Sequence, residues 1–227
     1  AKPGTSLYIR PFVIATTPSL GVHAAHDYIF CIITCPVGAY YKEGINPVRI
    51  YVENQDVRAV RGGTGYTKCG GNYAASIRAG ERAEEQGYAQ VLWLDGVHRR
   101  YIEEVGSMNV LFKIGGTVIT PALTGSVLPG ITRKSCIELL KSWGVPVEER
   151  LITAEELFDA AEAGRLEEAF GSGTAAVVSP IGEMGWGERH VTVNGGQIGA
   201  LTRKLYDTLT GIQWGTVSDP FGWTLKL

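Results

Sequence analysis

The stretch Gly62-Gly-Thr-Gly-Tyr-Thr-Lys-Cys-Gly-Gly-Asn-Tyr73 places five glycines around one amine, that of Lys68. It follows Val48 to Glu53, a short β-branched run that predicts a strand. It precedes Tyr73 to Gln86, whose Ala, Glu and Arg content favours a helix, and Val91 to Asp95, which predicts another strand. Strands and helices that are intermixed in this way indicate an α/β or α+β fold.

The rest of the chain repeats this mixture of elements without an internal sequence repeat. Further strands are predicted at Tyr8 to Ala15, Tyr28 to Thr34, Val110 to Ile114 and Thr117 to Thr120, and helices at Ile131 to Trp143, Glu155 to Ala163 and Gly199 to Thr210. Thr153-Ala-Glu-Glu156 has the spacing of a capping box, and Ala169 to Pro180 predicts a tight turn that leads into a strand. The region Tyr101 to Asn109 is expected to be a polar segment that leads into a hairpin.

A Gly- and Pro-bearing stretch, residues 42–47, predicts an interdomain linker. The chain would then consist of the C-terminal part of a small domain at residues 1–41 and a large domain at residues 48–227.

Composition excludes several classes of protein. The 227 residues include 21 Lys and Arg against 23 Asp and Glu, a net charge of −2, so no basic excess attracts nucleic acid or an anionic membrane. A hydrophobic fraction of 44% and a charged fraction of 19% are typical of a globular protein rather than a disordered one. We therefore expect neither a nucleic-acid nor a membrane partner.

Cysteine and histidine usage indicates reduced thiols and no metal site. Four cysteines are too few for a disulfide scaffold, and neither they nor the four histidines have the spacing of metal ligands. The longest apolar run, Tyr28 to Val37, is too short to span a bilayer, and the N-terminus has no apolar signal core. We expect a cytoplasmic location.

Lys68 is the first candidate for chemistry. The phosphate-binding P-loop motif requires Gly-Lys-Ser/Thr, whereas Lys68 lies between Thr67 and Cys69, so that motif is excluded. A lysine with a lowered pKa can form a Schiff base with a carbonyl cofactor, and glycines let backbone approach a flat cofactor closely. Taken alone, the loop favours the alternative of a solvated lysine in a glycine-rich turn.

Glu104 is the second candidate, because it precedes Gly106 and an apolar strand. A buried acid at this position could hold a protonated ring nitrogen, which pyridoxal chemistry needs as an electron sink. The alternative is surface charge, since Glu103 and Glu104 are adjacent acidic residues.

Two backbone segments and one arginine could bind anions. Gly130-Ile131-Thr132 opens a helix, and its free amides lie at the positive end of the helix dipole. Gly171-Ser-Gly-Thr174 predicts a nest-like turn that offers further amides. An ordinary cap and an ordinary turn are the alternatives. Arg10 lies in an apolar stretch, where it either pairs with a carboxylate or is an exposed strand residue.

Seven motifs extend in order over essentially the whole chain: Leu-Tyr-Ile-Arg-Pro (7–11), Ser-Leu-Gly-Val (19–22), Cys-Pro-Val-Gly-Ala-Tyr (35–40), Lys-Cys-Gly-Gly-Asn-Tyr (68–73), Glu-Val-Gly-Ser-Met-Asn (104–109), Leu-Pro-Gly-Ile-Thr-Arg (128–133) and Phe-Gly-Ser-Gly-Thr-Ala (170–175). Together they resemble the branched-chain amino-acid aminotransferases, which are fold-type IV pyridoxal-phosphate enzymes. The resemblance implies a large domain built as a pseudo-barrel of strands with surrounding helices, and the end of a smaller α/β domain.

The resemblance also implies the reaction, the cofactor and the partners. The amino group of leucine, isoleucine or valine would pass reversibly to 2-oxoglutarate through a Schiff base of pyridoxal 5'-phosphate, giving branched-chain 2-oxo acids and glutamate. The enzyme would be a homodimer of branched-chain amino-acid metabolism.

Residue roles follow from the resemblance only. Lys68 would form the Schiff base and move the proton, Tyr73 would bind the phenolic oxygen of the cofactor, and Glu104 its ring nitrogen. The remaining cofactor contacts would be Arg58 together with three phosphate-binding residues, Ile131, Thr132 and Thr174. The substrate site would be formed by Tyr8, Arg10, Tyr40, Ser107, Met108 and Ala175, with Leu20 and Val22 reaching the pocket of the partner subunit.

Three departures from the family pattern are visible. Ser107 stands where many relatives carry Thr, and Ala176 and Ser179 replace a Cys-x-x-Cys of the mammalian members, so that thiol switch is expected to be absent. The family has a longer N-terminal region, so we expect the chain to be the C-terminal part of a longer enzyme. The alternatives are a D-amino-acid aminotransferase, an aminodeoxychorismate lyase, or a catalytically incomplete fragment that binds the cofactor.

Overall fold

The chain divides into two compact units, residues 1–44 and 45–227. The computed structural model describes residues 5–38 and 45–226.

The first unit contains an antiparallel hairpin. Strands β1 (Ser6–Ala15) and β2 (Tyr28–Val37) pair along their full length, and most of their side chains are exposed. Both predicted strands are confirmed, and each extends further than its β-branched run because the ladder continues to the Ser6 and Val37 pair.

The second unit is built on a mixed sheet of nine strands. These are β3 (Val48–Glu53), β4 (Gln90–Leu94), β5 (Ile102–Val105), β6 (Asn109–Ile114), β7 (Thr117–Pro121), β8 (Val147–Arg150), β9 (Leu166–Gly173), β10 (Val177–Trp186) and β11 (Arg189–Thr192). Their order is β5-β4-β3-β10-β9-β6-β7-β8, with β11 also paired to β10. The β3–β4, β3–β10 and β7–β8 pairs are parallel and the others are antiparallel.

The two ends of this sheet approach each other. The chain that follows β8 pairs with the chain that enters β5, since Ile102 N donates to Ile152 O at 2.9 Å and Ala154 N donates to Arg100 O at 3.0 Å. An isolated bridge joins Tyr101 to Thr153. The sheet is therefore curled into a half-barrel, which agrees with the pseudo-barrel of strands that the resemblance implies.

In the part of the chain that the structure describes, five α-helices surround the sheet: α1 (Gly70–Ala74), α2 (Ile77–Glu85), α3 (Ile131–Ser142), α4 (Ala154–Glu162) and α5 (Ala200–Trp214). The predicted capping box is confirmed at α4, where Thr153 Oγ1 accepts a hydrogen bond from Glu156 N at 3.0 Å. No helix within the described ranges has the length and apolar character needed to cross a bilayer.

Four sequence predictions need correction. The helix predicted at Tyr73 to Gln86 is two helices, because the Ser76 amide and hydroxyl both donate to Tyr73 O and tighten the turn there. The region Tyr101 to Asn109 contains a buried strand, β5, rather than only a polar lead-in. Strands β8 and β11 were not predicted, since neither has an apolar repeat.

The fourth correction concerns the turn predicted at Gly171-Ser-Gly-Thr174. Gly171 to Gly173 belong to β9, which pairs with both β6 and β10, and the turn lies at residues 174–176. The ladder partners on both sides keep these small residues extended.

Both faces of the sheet are buried, which is why its strands lack a simple alternation of apolar and polar residues. Along β6, Val110 and Phe112 belong to the core enclosed by the curled sheet, whereas Leu111 packs in the layer beneath α3 and α5. A smaller cluster lies beneath α2 and includes Trp93.

Candidate active site

Lys68 lies in the crossover that joins the parallel strands β3 and β4. Its Nζ donates to the hydroxyl of Tyr73 at 2.8 Å, so the loop and α1 bring together the two residues that the resemblance assigned to one site. Lys68 is exposed and Tyr73 is half-buried. An amine held in this way can form a covalent bond to a carbonyl group or move a proton.

Asn72 fixes the shape of the glycine-rich loop, a role that sequence reasoning missed. Its Nδ2 donates to Thr64 O at 2.8 Å and to Thr67 O at 3.0 Å, and its Oδ1 accepts from Thr64 Oγ1 at 2.8 Å. The side chain is buried, with 5% of the residue exposed. Its position directly before Tyr73 was the available signal.

Glu103 and Glu104 lie in a β-bulge. Leu92 pairs with Val105 and Leu94 pairs with Ile102, so the two glutamates together oppose the single residue Trp93. A bulge redirects side chains, and here both glutamates are buried. The surface-charge alternative is therefore wrong for Glu104.

Three groups hold the Glu104 carboxylate. Arg58 Nε lies 2.7 Å from Oε2, and both side chains are nearly inaccessible to solvent. Oε1 accepts from Leu128 N at 3.0 Å and from Asn109 Nδ2 at 3.3 Å. Burial is the largest influence on the pKa of Glu104 and outweighs the lowering by the Arg58 guanidinium, the Leu128 amide and the Lys68 ammonium, so that the pKa is raised to about 7.

Arg58 is buried against Glu104 rather than exposed at an anion site. Its Nη2 donates to Gly65 O at 3.2 Å and also to Ser126 O. The guanidinium thus ties the glycine-rich loop to the chain before α3.

Asn109 links Glu104 to the start of α3, and sequence reasoning missed this residue too. Besides its contact with Glu104, its Nδ2 donates to Leu128 O at 2.8 Å. A Cβ on Gly130 would lie 2.1 Å from Asn109 Oδ1, so the close approach requires glycine. The only signal was that Asn109 ends the motif Glu-Val-Gly-Ser-Met-Asn.

The helix α3 begins at Ile131, as predicted, with Gly130 as its N-cap. No side chain caps this end and no acidic residue lies in the first turn. The first amides of a helix have no partner within the helix, and the helix dipole is positive there. Ile131 is exposed and Thr132 is half-buried, an arrangement that fits a phosphate group.

Thr174 and Ala175 are exposed in the turn between β9 and β10. Met108 lies against β9, the strand before this turn. A Cβ on Gly171 would lie 2.8 Å from Met108 Cε, and a Cβ on Gly173 would lie 3.1 Å from Met108 Cγ. Ser107 is exposed in the tight turn before it. The turn after β5 and the turn after β9 therefore lie near each other in the second unit.

The remaining predicted substrate residues belong to the first unit. Arg10 donates to the hydroxyl of Tyr8 through Nη2, and its Cζ lies 5.2 Å from the centre of the Tyr8 ring. Leu20 and Val22 are fully exposed in the segment between β1 and β2. Tyr40 lies outside the described residues.

Residues 1–184 match the family model described as Amino-transferase class IV. The chain belongs to the class IV aminotransferase family. The Bacillus subtilis protein named branched-chain-amino-acid aminotransferase 2 is 59% identical over 224 residues, which are 99% of this chain and 62% of that protein. This class IV chain thus spans less than two thirds of the length of that curated relative.

Solved structures of class IV enzymes share the fold. The Escherichia coli branched-chain amino acid aminotransferase matches with a TM-score of 0.82 and 30% identity over 96% of this chain and 69% of that one. The Thermobaculum terrenum branched-chain amino acid aminotransferase in its PLP form matches with a TM-score of 0.77 and 26% identity, over 93% of this chain and 65% of that one. The predicted fold-type IV architecture is confirmed.

Proposed function

We propose that this chain is the larger part of a pyridoxal-phosphate-dependent aminotransferase that transfers the amino group of leucine, isoleucine or valine reversibly to 2-oxoglutarate. The observation that carries the proposal is the buried, ion-paired Glu104 carboxylate, which lies within the electrostatic influence of the exposed Lys68 ammonium. The name borne by the similar Bacillus subtilis protein supports the choice of branched-chain substrates.

The residues of the second unit fit the cofactor. Glu104 would accept a hydrogen bond from the ring nitrogen, and Tyr73 would bind the phenolic oxygen. The uncapped first turn of α3 at Ile131 and Thr132 would hold the phosphate, together with Thr174. When bound, pyridoxal phosphate supplies a ring that accepts the electrons of a breaking Cα–H bond.

Lys68 would carry the proton between Cα of the substrate and the cofactor. The Tyr73 hydroxyl holds Nζ at 2.8 Å and so limits the positions of the amine. A positioned amine that is both a nucleophile and a base serves both functions without a second titratable group.

Met108 and Ala175 would provide apolar contacts to a branched side chain, next to Ser107. The amides of Thr174 and Ala175 would receive the substrate carboxylate. An apolar pocket binds leucine, isoleucine and valine better than polar amino acids.

The other substrate contacts, Tyr8, Arg10 and Tyr40, would come from the small domain. In this proposal, residues 1–41 end the small domain, residues 42–47 are the linker and residues 48–227 are the large domain. Leu20 and Val22 would enter the pocket of a partner subunit in a cytoplasmic homodimer. The full exposure of these two side chains supports their contact with a partner.

Visible absorption spectroscopy during addition of L-leucine tests the function. We expect a yellow band from the bound cofactor that bleaches with L-leucine and returns with 2-oxoglutarate. Lys68→Ala should abolish the response, whereas Lys141→Ala, which changes an exposed lysine of α3, should leave it unchanged.

Other outcomes would contradict the proposal. Bleaching by D-alanine but not by L-leucine would indicate a D-amino-acid aminotransferase, and release of pyruvate from aminodeoxychorismate would indicate a lyase. A band that no amino acid changes would indicate a cofactor-binding fragment without turnover.

A further inference from the structure

Arg58 is placed to hold the Glu104 carboxylate rather than to contact a cofactor. Its Nε lies 2.7 Å from Glu104 Oε2, and its Nη2 donates to the carbonyl oxygens of Gly65 and Ser126. Only 7% of Arg58 is exposed. Nη2 is therefore hydrogen-bonded to the protein, whereas Nε is ion-paired with Glu104 but makes no hydrogen bond.

The contact of Arg58 with Gly65 and Ser126 depends on close packing. A Cβ on Gly65 would lie 2.2 Å from Ser126 O and 2.5 Å from Ala59 Cβ, so only glycine allows the loop to approach this closely. The two carbonyl oxygens flank Arg58 and restrict the positions of its guanidinium. A rigid arginine also restricts the carboxylate that it contacts.

Glu104 needs such a partner because burial and the neighbouring Glu103 favour its neutral form. Even with Arg58 in place the pKa of Glu104 is raised to about 7, chiefly by burial and to a lesser extent by the neighbouring Glu103. Arg58 is the strongest of the groups that lower it, ahead of the Leu128 amide and Lys68. Asn109 contributes a neutral hydrogen bond from β6.

We propose that Arg58 is a positioning residue that acts on the ring nitrogen of the cofactor only through Glu104, by keeping this carboxylate ionised and fixed. The proposal rests on the proposed function, because it presumes that Glu104 binds that nitrogen. An ionised Glu104 accepts a hydrogen bond from a protonated ring nitrogen, whereas a neutral Glu104 would leave the nitrogen without its proton.

The test uses the holoenzyme with pyridoxal phosphate labelled with ¹⁵N in the ring, because the ¹⁵N resonance reports protonation of that nitrogen directly. At pH 8 we expect a protonated ring in the wild type and loss of protonation in Arg58→Gln. We also expect kcat to fall about 10- to 100-fold, the effect typical of leaving a buried charged group without its partner.

Two comparisons separate positioning from a general structural effect. Arg61→Gln changes an exposed arginine of the same segment and should leave the resonance unchanged. The double variant Arg58→Gln/Glu104→Gln should match Glu104→Gln alone, because two residues that act through one path are not additive. If Arg58→Gln does not fold, Arg58→Lys should keep the ring protonated and the cofactor dissociation constant unchanged.

Three results would overturn the proposal. A protonated ring in Arg58→Gln at pH 8, with loss of protonation in Glu104→Gln, would show that Arg58 does not act through Glu104. A weaker cofactor affinity in Arg58→Lys, with an unchanged resonance, would indicate direct contact with the phosphate. An unchanged resonance in Glu104→Gln, in an enzyme that still turns over L-leucine, would remove the role of Arg58 while leaving the proposed function intact.

Discussion

Glu104 is the residue whose chemistry depends most on its environment. The bulge in β5 turns it away from solvent, and burial then raises its pKa to about 7 from the ordinary value of 4.5. Arg58, Leu128 and Asn109 each bind one of its oxygens. A carboxylate that would be a permanent surface anion elsewhere therefore titrates near neutral pH in this protein.

The raised pKa predicts how stability of the cofactor-free protein depends on pH. Between pH 4.5 and about 7 the folded state binds more protons at Glu104 than the unfolded state does, so this residue makes the free energy of unfolding fall as pH rises. The fall should total about 3 kcal/mol and be complete above pH 7.

Chemical denaturation of the wild type and Glu104→Gln between pH 4 and 8 measures this effect. An arginine stays charged between pH 4 and 8. The loss of the partner of Arg58 in the variant therefore shifts the difference in unfolding free energy by the same amount at every pH. The unfolding free energy of the wild type minus that of the variant should decrease with pH. A difference that does not vary with pH would contradict the expected titration.

Tyr73 has a second effect at the scale of a residue, since its hydroxyl holds Lys68 Nζ at 2.8 Å. Tyr73→Phe should lower kcat/KM for L-leucine about 10- to 100-fold, the usual result of losing a hydrogen bond to a charged group. Steady-state kinetics measure the change, and Tyr66→Phe, at an exposed tyrosine of the same loop, is the matched control. Equal activity of the two variants would refute a role for this hydrogen bond.

The residues of the candidate site lie in loops, in a bulge and at the ends of strands and helices, rather than along regular elements. The β3–β4 crossover presents Lys68, the bulge in β5 presents Glu104, and the start of α3 provides free amides. Asn109, at the beginning of β6, contacts both β5 and the chain entering α3. The junction of β6 with α3 therefore sets the distance between the ring-nitrogen and phosphate ends of the proposed cofactor site.

Gly130→Ala tests this junction. The added Cβ would lie 2.1 Å from Asn109 Oδ1, and the buried asparagine can move only by giving up its hydrogen bonds to Glu104 and Leu128. We expect a loss of about 1–3 kcal/mol in the free energy of unfolding and weaker cofactor binding.

Urea denaturation and cofactor titration measure the two effects of Gly130→Ala. Gly80→Ala is the control, because a Cβ there meets nothing within 4 Å and alanine favours the α2 helix by about 1 kcal/mol. Full stability and full cofactor affinity in Gly130→Ala would mean that Asn109 does not transmit the position of Glu104 to α3.

At the scale of the whole molecule, the two units differ in how they are stabilised. Among residues 5–38 and 45–226, the three clusters of buried apolar residues all belong to the second unit, whose sheet is covered on both faces. The hairpin of the first unit exposes large apolar side chains such as Ile9, Phe30 and Ile32. A two-stranded hairpin by itself is at best marginally stable in water.

This difference predicts the behaviour of separate fragments. A fragment of residues 45–227 should unfold cooperatively with the same denaturant slope as the corresponding transition of the whole chain. A fragment of residues 1–44 should show no cooperative transition. Circular dichroism during urea denaturation measures both, and a non-cooperative 45–227 fragment would show that its core depends on the hairpin.

Local sequence signals were sufficient for elements whose stability is local. The Thr153 cap, the start of α3 at Ile131 and strand β3 could all be predicted, because each depends on a few adjacent residues. The motif around Lys68 and Tyr73 also placed the two residues within one short segment. Family membership followed from seven such motifs in order.

Only the tertiary structure decided which polar residues are buried and what they contact. The burial of Glu103 and Glu104 depends on the bulge opposite Trp93, and the Arg58 contact joins two segments that are far apart in the chain. Composition and periodicity carry no information on such pairs, because desolvation and ion pairing depend on residues that meet only after the sheet has curled. The amino-acid sequence by itself therefore determined the fold family and pointed to Lys68 as the candidate amine. The folded chain determined the electrostatic surroundings of the buried charged residues.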